Sequence, residues 1–114
     1  MYFEKYSLKS LVVNMFKEKR RLKGIVIKNG FVSKIDKWNI NKVQGTFVIV
    51  DEREQVIYLF SENSDTESKF KGSSIANHLK WKLFGGAAKI KQSKPNKLED
   101  AEWEEFNIDI SEFH

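Results

Sequence analysis

TFVIVDEREQVIYLF, residues 46–60, decides how this chain folds. Phe47 to Val50 and Val56 to Phe60 are β-branched, aromatic or leucine at every position, a composition of strands. The charged run Asp51-Glu52-Arg53-Glu54-Gln55 between them reads as a turn, so the stretch is a hairpin. Both arms are apolar on both faces, which predicts central strands, covered on two sides or closing a barrel.

Upstream, GIVIKNGFVSKIDKWNI (24–40) reads as another hairpin, with Asn29-Gly30 at its centre. Asn-Gly accepts the positive φ values that a two-residue turn demands. Before it, Ser7 is an N-cap for a helix over about 8–21, whose apolar stripe is Leu8, Leu11, Val12, Met15, Phe16 and Leu22. After the second hairpin, residues 61–74 are polar and serine-rich and read as a mobile loop. Ser73 or Ser74 then caps a second helix, IANHLKWKLF (75–84), stopped by Gly85-Gly86. AAKIKQ (87–92) reads as a last edge strand.

This order of elements excludes a doubly wound nucleotide fold, which alternates strands with crossover helices. The expected class is α+β: an antiparallel four- to five-stranded sheet from two hairpins, with an N-terminal and a C-terminal helix. The alternative is a five-stranded OB-like barrel. Residues 1–92 read as the domain, 93–97, with the only proline at Pro95, as a linker, and 98–114 as a tail.

Charge divides along the same line. Residues 1–97 carry all 20 Lys and Arg against 9 acids, whereas LEDAEWEEFNIDISEFH (98–114) carries 7 acids and no Lys or Arg. A basic body points to a polyanionic partner. Cysteine is absent, so no disulfide framework or thiolate chemistry is available, which fits the cytoplasm. No apolar run reaches the roughly 20 residues of a membrane span, and the N-terminus reads as part of the fold and not as a signal peptide.

Catalytic constellations are thin. His78 and His114 have no Cys or acidic partner at metal-ligand spacing, and Asp51, Glu52 and Glu54 read as solvated turn residues. Phosphate-loop, dinucleotide and nucleophile-elbow patterns are missing. The expectation is a protein without enzymatic activity, cofactor or metal.

Binding residues are easier to nominate. Alternation along 31–40 places Lys34 and Trp38 on one face, with Lys28, Lys37 and Lys42 around the same hairpin. Lys69-Phe70-Lys71 and Lys80-Trp81-Lys82 each embed a ring between two cations. Cations for phosphates and flat rings for bases are what a flexible single strand requires. In the tail, Trp103, Phe106, Ile108, Ile110 and Phe113 lie among acids and read as anchors for a partner's pocket, unless the segment packs on its own domain.

The ending Asn107-Ile108-Asp109-Ile110-Ser111-Glu112-Phe113 resembles the acidic C-terminal tip of bacterial and phage single-stranded DNA-binding proteins. In that family the tip docks replication and repair enzymes. The likeness covers under ten residues, and this chain departs from it: no proline precedes Phe113, and His114 follows it. The resemblance implies a tail that recruits a replication or recombination protein. The combined expectation is a cytoplasmic, non-membrane protein that binds single-stranded nucleic acid, DNA first, from a phage or mobile element, able to form homo-oligomers. Two alternatives stand beside it: a protein–protein inhibitor or adaptor of a host factor, and a duplex DNA-binding regulator.

Overall fold

The computed structural model describes residues 19–38 and 44–114. Their order is β1 (Arg21–Lys28), β2 (Phe31–Lys34), β3 (Gly45–Asp51), β4 (Val56–Glu62), α1 (Thr66–Phe84), β5 (Lys89–Lys91) and β6 (Glu102–Trp103). Short 3₁₀ turns at Leu98–Asp100 and Ile110–Phe113 complete the chain. The class is α+β, with one open sheet ordered β2-β1-β3-β4-β5 and β6 beside β1.

Both hairpins form as their sequences require. Lys28 pairs with Phe31 across Asn29 and Gly30, whose φ values are 50° and 81°. β3 and β4 pair antiparallel from Gly45↔Glu62 to Asp51↔Val56. All seven residues of β3 are buried, as expected of a central strand. Pleating divides its side chains between two cores. Val48 and Val50, with Ile25, Ile27 and Ile57, meet Ile75, Ala76 and Leu79 of α1. Phe47 and Ile49, with Leu22, Val56 and Tyr58, point to the opposite face, where Leu98, Trp38, Phe60 and Trp103 pack.

Three expectations need correction. The sheet is mixed: β4 pairs parallel with β5, and β1 parallel with β6. A helix between β4 and β5 carries the chain back across the sheet, so the strand after it runs in the same direction. The helix is also longer than its apolar pattern suggested, because Asp65 is its N-cap and accepts a hydrogen bond from Ser68 N at 3.0 Å. Residues 66–74 are therefore helical instead of looped. Gly72, a poor helix former, belongs there because a Cβ on it would lie 2.4 Å from Thr46 Cγ2, so its bareness lets α1 approach β3. Most of the N-terminal helix read over 8–21 lies outside the described residues; Lys19 and Arg20 are not helical, and Arg21 already belongs to β1.

The acidic segment 98–114 is part of this fold and not a free tail. Glu102 N donates to Arg20 O and Glu104 N to Leu22 O, both at 2.8 Å, extending the β1 edge that β2 leaves open. Phe106 and Ile108 are 3% and 9% exposed and complete the core under α1, with Ile110 and Phe113 packed against it. Fully burying such side chains is worth about 1.5–3 kcal/mol each, far more than a surface ion pair supplies. Hydrophobic burial holds the segment; its charges only add to that.

Candidate interaction surfaces

The first nominated strip does not assemble. β2 ends at Lys34, and the chain then bends, so Trp38 no longer follows strand alternation. Val32 points to the α1 side, and Lys34 shares its face. Trp38 packs on the other side of the sheet, with ring centres 5.1 Å from Phe47, 6.3 Å from Phe60 and 6.0 Å from Trp103, the last nearly parallel. Lys94 Nζ lies 5.6 Å from its centroid. Its neighbours use the ring surface that a base would need. Lys28 and Lys37 are exposed, and Lys42 lies outside the described residues.

The second strip is on α1. Phe70 is 74% exposed and Trp81 67%. Successive helix residues turn by about 100°, so Phe70, Ser74, Asn77 and Trp81 line one stripe. That stripe lies opposite Ser68, Gly72, Ile75, Ala76 and Leu79, the residues α1 buries. Eleven residues separate the two rings, about 16 Å along the axis. Their lysines differ in availability. Lys71 Nζ donates to Gly30 O at 2.7 Å, and Lys82 lies 3.6 Å from Glu112. Lys69 and Lys80 are in no ion pair among the described residues. The Trp38 cluster and this stripe sit on opposite sides of the sheet and make no common surface.

The tail's nominated anchors are occupied. Trp103 pairs with Leu22 in the sheet and donates its indole N–H to Leu98 O at 3.4 Å. Phe106, Ile108, Ile110 and Phe113 face their own domain. Its acids meet the body's cations: Glu102 with Arg21 at 3.8 Å, and Glu112 with Lys82. Asp109 accepts the Ser111 hydroxyl at 2.5 Å, which is the main cause holding its carboxyl below the usual range; the charges of Lys34 and Lys82 act in the same direction. The end-to-end charge division is thus partly neutralised within the molecule.

Two features escaped the sequence reading. Phe31, just after the Asn-Gly turn, is 71% exposed and has His114 with its ring centre 6.1 Å away. No single-sequence signal separates it from a core aromatic. Asp51, read as a solvated turn acid, is buried and bound to Arg20 at the side of an open cleft of about 790 Å³. Arg20 also donates to Tyr58 OH at 2.6 Å, and Lys23 binds Glu52 at 2.9 Å, so much of the cleft's charge is internally paired. Among the described residues no three His, Cys, Asp or Glu side chains converge as metal ligands, and no helix is long and apolar enough to cross a membrane.

No protein-family model matches this chain, and no curated protein matches it. Among solved structures, it is similar to a chain of the Thorarchaeota ProGel/rabbit actin complex, with a TM-score of 0.51 and 14% identity. The alignment covers 81% of this chain and 93% of that one. At that identity the likeness is one of fold.

Proposed function

We propose that this chain is a non-enzymatic protein-binding module that docks through the outward face of α1. The observation that carries the reading is the pair Phe70 and Trp81, two exposed rings on one stripe of one helix, outside both cores. A soluble helix ordinarily turns polar residues outward. Aromatic residues at i and i+11 on a rigid helix match the helix-in-groove mode of recognition, in which a few large side chains supply most of the affinity. The ProGel structure is a complex with actin, which makes actin the first partner to test.

A titration of labelled actin with the full chain tests this. Saturable binding, weakened by about tenfold or more in Phe70→Ala/Trp81→Ala, supports the reading. No binding up to about 100 µM, a free energy weaker than roughly 5 kcal/mol, rejects an actin-type partner.

The second reading is single-stranded nucleic acid on the same face, favoured by Lys69 beside Phe70 and Lys80 beside Trp81. It predicts oligonucleotide binding that falls with salt and is lost in the same double variant. Recruitment of a replication enzyme by the tail has less support, since its apolar residues are engaged in the fold.

A further inference from the structure

The Asn29-Gly30 turn is anchored to the start of α1 by more bonds than a hairpin needs. Gly30 N donates to Ser68 Oγ at 2.9 Å, in a buried bond. Asn29 N donates to Asp65 Oδ1 at 3.2 Å, and Lys71 Nζ to Gly30 O at 2.7 Å. Ser68 Oγ in turn donates to Asp65 Oδ1 at 2.7 Å, which leaves the hydroxyl oxygen's lone pairs for Gly30. A Cβ on Gly30 would lie 2.9 Å from Glu67 Oε1, so the turn presses close against the helix.

Asn-Gly is also the dipeptide most open to intramolecular attack, because glycine offers no side chain to hinder its nitrogen. We propose that Asn29-Gly30 is a latent deamidation site, kept silent in the folded protein by the Gly30 N–H···Ser68 Oγ bond. In the reaction the Gly30 nitrogen bonds to Asn29 Cγ and gives up its proton. The Cγ–Nδ2 bond breaks, ammonia leaves with that proton, and a succinimide closes. Water, the sole co-reactant, opens the ring at either carbonyl to give aspartate or isoaspartate. The first step requires the Gly30 nitrogen to shed its proton and turn its lone pair toward Cγ. The bond to Ser68 points that N–H into the helix, and the bonds at Asn29 N and Gly30 O fix the peptide planes on either side.

The product would not fit the same place. A new carboxylate at residue 29 adds negative charge to a turn whose backbone N–H already binds Asp65 and whose Gly30 presses against Glu67, and the isoaspartyl form adds a methylene to the main chain within a two-residue turn. Deamidation would therefore undock the hairpin from the N-terminal half of α1.

The test is mass spectrometry of the full chain incubated at mildly alkaline pH, beside a free peptide of sequence IVIKNGFVS. The folded chain should deamidate at residue 29 at least about tenfold more slowly than the peptide, and Ser68→Ala should recover about tenfold of rate, the factor that one hydrogen bond supplies. Equal rates in chain and peptide, or an unchanged rate in a folded Ser68→Ala, overturn the proposal. Should that variant fail to fold, hydrogen exchange of the Gly30 amide in the unaltered chain decides. Protection of more than about tenfold supports the bond as the guard, and exchange at the free-peptide rate overturns it. Neither readout depends on what α1 binds.

Discussion

The Arg20 guanidinium lies 3.1 Å from Asp51 Oδ2, joining the start of β1 to the end of β3. The two ends of this pair live in different surroundings: the Asp51 side chain is 3% exposed and that of Arg20 36%. Asp51 also accepts Glu54 N at 3.1 Å, which shapes the β3–β4 turn. Removing the arginine leaves a carboxylate under cover with one remaining donor. Breaking a fully buried pair costs about 3–5 kcal/mol, and water reaching the vacated arginine position reduces that here, so Arg20→Ala should lose about 2 kcal/mol. Urea unfolding measures it. Adding Asp51→Asn should return at least half of the loss, because the stranded charge is then gone.

The acidic segment yields a prediction opposite to that of a detachable tail. Phe106 fills the core beneath α1, so Phe106→Ala should cost about 3 kcal/mol. Truncation after Lys97 removes Leu98, Phe106 and Ile108 together and uncovers both cores. The truncated chain should unfold without a cooperative transition in calorimetry. A sharp transition near that of the full chain would show the segment to be dispensable.

Acid should act on the α1 cap. The Asp65 carboxyl titrates below the ordinary 3.8, first because of the Ser68 hydroxyl hydrogen bond; burial opposes this, and the Ser68 and Asn29 backbone N–H groups add to it. A folded pKa below the unfolded one means that the stabilisation is complete above the unfolded value. It is lost as pH falls through the lower folded one. Asp65→Asn keeps a capping oxygen without the titration. Between neutral pH and about pH 3, the unaltered chain should therefore lose more stability in urea than Asp65→Asn does. Parallel losses in the two proteins would rule out Asp65 as a source of the acid sensitivity.

How far the sequence could be read depended on how local each cause was. The Asn29-Gly30 turn and the β3–β4 hairpin were legible because their signals sit within a few residues: positive φ at Asn-Gly, and unbroken apolar arms. The first two turns of α1 were hidden because Gly72, Ser73 and Ser74 are weak helix formers, and Gly72 is there to fit Thr46, a contact no local pattern encodes. Trp38 was misplaced for the same reason. Strand alternation was extended past Lys34, where the chain bends and hands the ring to Phe47 and Trp103. The tail's hydrophobic residues read as anchors for a partner's pocket, whereas they pack into the cores of their own domain, a long-range pairing that spacing along the chain does not encode. Phe70 and Trp81 stand out in the sequence because each lies between two lysines, Phe70 in the segment read as a loop and Trp81 on the second helix, and both are exposed.

The two glycines after α1 separate backbone strain from the placement of Trp81. Gly85 is left-handed at φ 58° with nothing near its missing Cβ, so Gly85→Ala meets only the left-handed penalty, about 1–2 kcal/mol. Gly86 has φ 91°, and a Cβ there would lie 2.5 Å from Trp81 Cζ3 and 2.7 Å from Cη2. Gly86→Ala therefore adds a collision to a comparable backbone cost. The ring is mostly exposed and gives way more readily than the backbone, so it should swing off the helix end. Both variants should unfold at lower urea, yet only Gly86→Ala should shift the Trp81 indole resonance and weaken docking through α1. If both variants bind a partner as tightly as the unaltered chain does, the position of the Trp81 ring over Gly86 plays no part in recognition.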